Sequence, residues 1–259
     1  MPQEAAGQYG DRKFTAMMMA KVFCVHMVIG LKYNILFQDV DIVWYKNPIS
    51  YFENQYLAYD MLFQDDGGHT LRYAPYSANS GFYYVRSNAR TEYFFNSLLL
   101  AGDLIQSTDS HQQVLIALLA EHSSLFGLRA KVFARDEEDF PGGYQYHQKS
   151  GEYMRRFFAG TIKPYIFHMS WTFNKDNKIL YWQQMGEWYV QEKCVHKKVP
   201  DILGIAASTS DVTEPQQEQF ISTCCSKEPI ITCHYRDKPS VIPCKDSPPI
   251  DAGRPSFWK

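Results

Sequence analysis

Residues 34–48 read NILFQDVDIVWYKNP, and this stretch decides the predicted fold. Residues 34–44 are rich in β-branched and aromatic side chains, which favour a strand. The pair Asn47-Pro48 predicts a turn after that strand. An apolar run of this kind is typical of a strand that is covered on both faces. We therefore expect residues 34–44 to form one buried strand of an α/β sheet.

Helices and strands alternate on either side of this strand. Before it, apolar residues recur at three- and four-residue steps from Arg12 to Leu31, which predicts a helix. After it, the sequence predicts strands at 56–63, 82–86, 131–134 and 165–169, and helices at 88–100, after Asp109 and at 174–185. This order predicts an α/β fold in which helices flank both faces of the sheet.

Residues 200–259 differ in composition from the rest of the chain. Ser, Thr, Pro and Cys dominate this segment, and the periodic patterns do not continue into it. We therefore expect a folded domain at 1–199 and an irregular tail, rich in Cys and Pro, at 200–259.

The overall composition excludes several classes of protein. The chain has 259 residues, of which 45% are hydrophobic and 21% are charged, so it can bury a substantial core. These values argue against a disordered chain, a collagen and a coiled coil. The formal net charge of −2 shows no sign of a polyanion-binding surface, and we expect no nucleic-acid partner.

Residues 14–31 are the one candidate for a membrane span. Lys21 and His26 interrupt this apolar segment, and a charge near the middle of a spanning helix is costly. We expect a buried helix of a soluble domain instead. The polar residues 1–12 do not resemble a signal peptide. This leaves open a cytosolic protein or a chain from which a targeting segment or membrane anchor is missing.

The cysteines favour an oxidising compartment. Five of the six lie toward the C-terminus, at Cys194, Cys224, Cys225, Cys233 and Cys244. Their spacing does not match a zinc finger, whereas a cluster in a loop-rich segment suits disulfides in a lumen. The alternative is a set of unrelated free thiols.

Asp39 and Asp41 are the first candidates for chemistry. Two carboxylates at the end of an apolar strand carry a large desolvation cost, so a positive group should meet them. Mg²⁺ or Mn²⁺ suits such oxygen ligands and can bridge to the phosphates of a nucleotide. His168 ends another apolar strand and could supply a nitrogen ligand, although an ordinary core histidine is the alternative.

Two further groups of polar residues could bind a sugar. Asn79, Ser80 and Gly81 lead into the strand at 82–86, where a glycine permits close approach and an amide can bind hydroxyl groups. Asp109 and Gln112 open a helix, where they match either a capping box or a sugar site. We expect Asp65-Asp66 to lie in a solvated loop and Gly67-Gly68 to form a turn.

Together these motifs resemble the nucleotide-diphospho-sugar transferase family of plant and algal type, which are glycosyltransferases of the GT-A fold. The resemblance runs from about residue 14 to residue 190. It rests on the strand, Asp-x-Asp and Trp-x-x-Asn-Pro pattern of residues 30–48, on residues 79–86, and on His168 in its place near the end.

The resemblance implies a metal-dependent transfer from a sugar nucleotide. Asp39, Asp41 and His168 would hold Mn²⁺, or Mg²⁺, against the diphosphate of a donor, which we expect to be UDP-linked. Lys21 would touch the donor phosphates. The donor sugar would lie among Asn79, Ser80, Gly81 and Asp109 or Gln112. The acceptor would be a glycan, such as a cell-wall glycan, or a glycoprotein in the Golgi lumen. Members of the family mostly retain the anomeric configuration, but no residue here is identified as a base or nucleophile, so retention and inversion both stay open.

Two departures from the family pattern keep an alternative open. Few residues precede the Asp39 strand, so we expect the first strand-helix-strand unit of the GT-A fold to be absent from this chain. The helix that often opens with Asp-Gln in the family here opens with His111-Gln112. The alternative is a non-catalytic sugar- or nucleotide-binding protein with an incomplete donor pocket, and a nucleotide-sugar hydrolase is a third hypothesis.

Overall fold

The computed structural model describes residues 6–7, 10–68, 70–148, 151–172, 175–195, 197–204 and 214–230. The chain divides into two units, residues 1–174 and residues 175–259. The first unit contains six strands and seven α-helices within the described residues. In chain order these are α1 (Arg12–Gly30), β1 (Ile35–Gln38), β2 (Ile42–Trp44), α2 (Ile49–Gln55), β3 (Met61–Asp65), β4 (Ala78–Val85), α3 (Ala89–Leu100), α4 (Gly102–Thr108), α5 (His111–Leu125), β5 (Ala130–Val132), α6 (Gly143–His147), α7 (Glu152–Phe158) and β6 (Ile166–His168).

Four of the strands form a mixed sheet in the order β1-β4-β3-β5. The β4 strand is antiparallel to both of its neighbours, and β5 is parallel to β3. The carboxyl ends of β1, β3 and β5 therefore lie at one edge of the sheet, together with the first residues of β4. Open α/β sheets bind ligands in the crevice beyond the carboxyl ends of their strands, so this edge is where a site is expected.

Two apolar clusters cover the two faces of the sheet. On one face, α1, α3 and α5 pack against residues of β3 and β4, including Phe63 and Tyr83. On the other face, an aromatic cluster joins Tyr51 and Phe52 of α2 to Phe82 of β4 and to Phe140. The prediction of a mixed α/β fold with a sheet flanked by helices is confirmed.

The prediction of one strand over residues 34–44 is wrong. β1 pairs with β4, whereas β2 pairs with β6 in a separate two-stranded sheet. The chain leaves the first sheet at Asp39, whose N–H donates to Gly81 O (2.7 Å), and Val40 is exposed between the two strands. Both halves are only partly buried, in contrast to the buried strand expected from the sequence. Their unbroken apolar run does not reveal the break between them.

The α1 helix matches the predicted segment closely. Asp11 caps its first turn by accepting a hydrogen bond from Phe14 N (2.7 Å). By length and composition alone α1 could cross a membrane, but Val22, Val25 and Ile29 lie in the core and Lys21 pairs with Asp39. These contacts agree with the predicted core helix.

The second unit contains the helices α8 (Lys175–Met185), α9 (Val199–Leu203) and α10 (Glu214–Cys224). The boundary predicted at residue 199 falls inside this unit. The composition predicts an irregular tail from residue 200. Within the described residues of this segment, however, α9 and α10 are helical. Residues 214–221 are rich in Gln and Glu, which are good helix formers, and the surrounding Pro and Ser hide this short segment in the overall composition.

A disulfide joins Cys194 to Cys224 within the second unit. This pair confirms the prediction of disulfides among the C-terminal cysteines. Cys225 and Cys24 are exposed free thiols, whereas Cys233 and Cys244 lie outside the described residues.

Candidate metal centre and the adjoining polar cluster

Asp39, Asp41 and His168 converge at the carboxyl edge of the sheet. One potential ligand atom from each lies within 4.8 Å of the others. The two aspartates flank the break between β1 and β2, and His168 pairs with Ile42 in the register of β6, beside Asp41. Asp41 and His168 are buried, and His168 Nε2 lies 3.4 Å from Asp41 Oδ1. The structure thus brings together the three residues predicted as metal ligands.

Gln64 determines which imidazole nitrogen faces the carboxylates. The amide nitrogen of Gln64 donates to Phe140 O (2.9 Å) and Pro141 O (2.8 Å), so its oxygen must point the other way. That oxygen lies 2.7 Å from His168 Nδ1 and accepts its hydrogen, so Nδ1 carries a proton. Nε2 is then the ring nitrogen that faces Asp41.

This arrangement fits a divalent cation. Two carboxylates and an imidazole lone pair form a set of acceptors, which Mn²⁺ or Mg²⁺ would hold together. Metal-binding histidines usually donate their other N–H to a neighbouring acceptor, as His168 does to Gln64. The donor set does not distinguish between the two ions.

Gly81 leaves room for an ion between the ligands. A Cβ atom at this position would lie 2.7 Å from Asp39 Oδ2 and 2.7 Å from His168 Cε1. Both distances are too short for any side chain to fit without displacing a ligand. A glycine is therefore needed here because β4 passes close to the candidate centre.

Lys21 adds a positive charge to the same edge. Its ammonium group lies 2.6 Å from Asp39 Oδ1 and 5.5 Å from the ring centre of Phe37. His111 is buried nearby, and its burial, with a smaller contribution from the Lys21 charge, lowers its pKa well below the usual 6.5. His111 is therefore neutral at physiological pH, and Lys21 is the cation on this side of Asp39.

A second cluster surrounds Asp66, one residue beyond the end of β3. Asp66 Oδ1 accepts hydrogen bonds from Asn79 Nδ2 (2.9 Å) and Gln112 Nε2 (3.0 Å), and Oδ2 accepts one from Trp171 Nε1 (3.3 Å). Only 6% of Asp66 is exposed, so the expectation that it lies in a solvated loop is wrong. Like Asp39, Asp66 directly follows an apolar strand, and this shared context is the signal that could have identified it.

Gln112 connects this cluster to β4. Its side-chain oxygen accepts hydrogen bonds from both the N–H and the hydroxyl of Ser80, each at 2.9 Å. The neighbouring Gly81 N donates to Asn79 Oδ1 (2.7 Å), the same amide that holds Asp66. The predicted sugar-binding residues Asn79, Ser80, Gly81 and Gln112 therefore form one network with Asp66.

Asp109 is not part of this network. It is exposed in a left-handed conformation (φ 56°) and lines a different cavity, of about 520 Å³, with Gly10 and Arg12. The predicted capping box is also wrong, because Ser110 caps α5 and Gln112 turns to Ser80 and Asp66 instead. Asp66 is the carboxylate that Gln112 contacts.

The sequence is similar to a family of known proteins and to a protein of known name. The sequence model of the nucleotide-diphospho-sugar transferases matches residues 2–181, which contain every residue of both clusters. The chain is 26% identical over 211 residues to UDP-galactose:fucoside alpha-3-galactosyltransferase of Dictyostelium discoideum. That alignment covers 73% of this chain but 30% of the relative, so the chain spans about a third of the relative's length. No solved structure matches the chain.

Proposed function

Because the chain belongs to the nucleotide-diphospho-sugar transferase family, we propose that it is a metal-dependent glycosyltransferase. It moves a sugar from a UDP-linked donor to a glycan or glycoprotein acceptor. The observation that carries this proposal is the convergence of Asp39, Asp41 and His168 around the space that Gly81 leaves open.

Asp41 and His168 are the direct ligands in this proposal. Both are buried, and the Gln64 hydrogen bond holds His168 Nε2 toward Asp41. Asp39 forms an ion pair with Lys21, and in this proposal the Lys21 ammonium would meet a phosphate oxygen of the donor. A bound divalent cation would neutralise the charge that develops on the departing diphosphate.

The Asp66 network is the proposed site of the donor sugar. Asp66, Asn79 and Gln112 supply carboxylate and amide groups, which can accept and donate hydrogen bonds to hydroxyl groups. Their mutual hydrogen bonds fix these side chains before a sugar binds, so little side-chain conformational entropy is lost on binding. The network meets the metal centre at Gly81, whose N–H donates to Asn79 Oδ1, so a sugar joined to a metal-bound diphosphate would lie beside it.

The first donor and acceptor to test come from the name of the relative. UDP-galactose and methyl α-L-fucoside are the corresponding probes. We extend the proposal to retention of the anomeric configuration, which the family resemblance implies. The anomeric proton signal of the product, measured by NMR, tests retention against inversion.

Titration calorimetry with UDP is the test of the proposal. Wild-type protein should bind UDP only when Mn²⁺ or Mg²⁺ is present, and Asp41→Asn should abolish that binding. Asp103→Asn, which changes an exposed carboxylate on α4, is the matched control and should bind as wild type does. Metal-independent binding, or unchanged binding by Asp41→Asn, would contradict the proposed site.

Hydrolysis of UDP-galactose separates the three hypotheses. A transferase should release UDP much faster when its acceptor is added. A binding protein should release none, and a hydrolase should release UDP and free sugar at a rate that the acceptor does not change.

We also propose that the chain works in the Golgi lumen. The Cys194–Cys224 disulfide supports an oxidising compartment, because cytosolic thiols are kept reduced. Microscopy of the tagged protein beside a Golgi marker tests this location, and a cytosolic signal would contradict it.

A further inference from the structure

A separate cavity of about 310 Å³ lies at the ends of β3 and β5. The sheet order β1-β4-β3-β5 places it on the opposite side of Asp66 from the metal centre. Neighbouring strands are about 4.8 Å apart, so the cavity lies roughly 10 to 15 Å from Asp39 along this edge. A diphosphate and a sugar can span a distance of this size.

Two glycines form the wall between Asp66 and the cavity. A Cβ atom at Gly68, which lines the cavity, would lie 3.1 Å from Asp66 Oδ2 and 3.0 Å from the Tyr73 ring. Gly67 has a φ of 85°, and a Cβ atom there would lie 2.4 Å from Tyr144 Cβ. The Asp66 carboxylate therefore lies close behind Gly68 and the Tyr73 ring, both of which line this cavity.

The cavity presents a carboxylate beside a guanidinium group. Arg135 Nε donates to Asp65 Oδ2 (3.0 Å), and the guanidinium carbon lies 4.1 Å from the centre of the Tyr144 ring. The Arg135 side chain lines the cavity and is 29% exposed, so its guanidinium can donate a hydrogen bond to a ligand oxygen there.

The remaining walls suit a single sugar ring. Tyr73, Tyr76 and Phe133 line the cavity, and most small-molecule sites combine such aromatic walls with a few polar groups. A volume of about 310 Å³ lies at the lower end of the range for such sites, which is too small for a nucleotide sugar.

The charges of the cavity favour a neutral ligand. Asp65 and Arg135 neutralise one another, and Asp66 lies just behind the glycine wall. An anionic sugar would meet two carboxylates for one guanidinium. A neutral sugar has neighbouring hydroxyl groups that can donate to Asp65 and accept from Arg135.

We infer that this cavity is the acceptor subsite and holds a neutral monosaccharide unit of the acceptor. The inference rests on the proposed function and identifies where the second substrate binds. In the transfer, an acceptor hydroxyl oxygen bonds to the anomeric carbon of the donor sugar while the bond from that carbon to the diphosphate breaks. The diphosphate leaves with the bonding electron pair, and the hydroxyl proton is released to solvent.

Saturation-transfer NMR on the full chain, with UDP and Mg²⁺ present, tests this inference. The probes are the neutral methyl glycosides of fucose, galactose, glucose and mannose, and the anionic methyl glucuronide. At least one neutral glycoside should bind to the wild type. Arg135→Gln should weaken that binding roughly 10- to 100-fold, the effect of losing a hydrogen bond to a charged group.

A second variant tests the cavity without changing the ion pair between Arg135 and Asp65, and a third serves as the control. Ala134→Phe fills the cavity from an exposed position, so it should block the glycoside without disturbing the fold. Arg156→Gln is the matched control, because Arg156 pairs with Glu138 on the surface and does not line the cavity. It should bind the glycoside as the wild type does.

Three outcomes would overturn the inference: no neutral glycoside binds, the glucuronide binds as well as the neutral probes, or Arg135→Gln and Ala134→Phe both keep wild-type affinity. Calorimetry with UDP on the same samples separates this failure from failure of the proposed function. Both cavity variants should keep wild-type UDP affinity, whereas Asp41→Asn should lose it. Loss of UDP affinity in the cavity variants would count against a separate acceptor subsite.

Discussion

Gln64 Oε1 lies 2.7 Å from His168 Nδ1, and this hydrogen bond directs the other imidazole nitrogen at Asp41. Gln64 is itself held by two backbone carbonyl groups, those of Phe140 and Pro141. The orientation of the candidate metal ligand is therefore set by a buried side chain outside the metal centre. The same geometry makes Gln64 a positioning residue for metal binding.

Replacing Gln64 by Leu should weaken Mn²⁺ binding about 10- to 100-fold, the usual effect of losing a hydrogen bond behind a metal-bound histidine. Calorimetric titration with Mn²⁺ measures this change. Nitrogen-15 NMR of His168 should show Nδ1 protonated in the wild type and a mixture of tautomers in the variant. Gln106→Leu, an exposed change on α4, is the control. A wild-type tautomer and affinity in Gln64→Leu would refute the positioning role.

Gly81→Ala should abolish or severely weaken metal-dependent UDP binding. The new methyl group would lie 2.7 Å from Asp39 Oδ2, and overpacking of this kind costs about 1 to 3 kcal/mol. The matched control is Gly30→Ala, because a Cβ atom at Gly30 meets nothing within 4 Å. Calorimetry with UDP and Mn²⁺ compares the two variants. Equal affinities would show that the space beside Gly81 is not needed.

Asp60 is a buried carboxylate that ties three segments of the first unit together. It accepts two hydrogen bonds from the Arg90 guanidinium (2.7 and 2.8 Å), one from Arg129 N (2.9 Å) and one from Asn88 Nδ2 (3.0 Å). Burial by itself raises the pKa of Asp60, but the hydrogen bonds from Arg90 and from Arg129 N and the two arginine charges outweigh it and hold the pKa below the usual 3.8.

The lowered pKa makes the contribution of Asp60 to stability depend on pH. A carboxyl group with a lower pKa in the folded state stabilises fully above its unfolded pKa and loses this effect as the pH falls through its folded pKa. Asp60→Asn should therefore reduce the free energy of unfolding by about 2 kcal/mol at pH 6, and by less at pH 3.5. Urea denaturation at both pH values measures this, with Asp103→Asn as the exposed control. If the loss of unfolding free energy in Asp60→Asn is larger at pH 3.5 than at pH 6, the lowered pKa of Asp60 is contradicted.

The Cys194–Cys224 disulfide should stabilise the second unit. It joins two residues with a sequence separation of 30. For a loop of this length the chain-entropy model gives a stabilisation of the folded state of about 3 to 4 kcal/mol. Replacing both cysteines by Ser should lower the midpoint of thermal unfolding of this unit, and leave metal-dependent UDP binding unchanged. Non-reducing peptide mapping of the protein purified from its native compartment should recover the linked peptides. Peptides with both thiols free would contradict the pairing and remove the support for a lumenal location.

Much of the candidate metal centre could be predicted from sequence because its residues lie beside or at the ends of apolar strands. Asp39, Asp41 and His168 are polar groups at such ends, and a polar group in that context needs a partner. Asp66 has the same context, but the preceding residue, Asp65, is also acidic, and an acidic pair looks like a solvated loop. Adjacent strand residues face opposite sides, so only the packed sheet shows that Asp66 is the buried one.

Local sequence by itself determined the α1 helix and the α/β order of elements, because these depend on the spacing of apolar residues along the chain. The tertiary structure alone decided that residues 34–44 divide between two sheets, that Gln112 meets Asp66 while Asp109 does not, and that Gln64 orients His168. These features depend on contacts between residues distant in sequence. Hydrophobic periodicity indicates whether a side chain is buried, but not which residues it contacts.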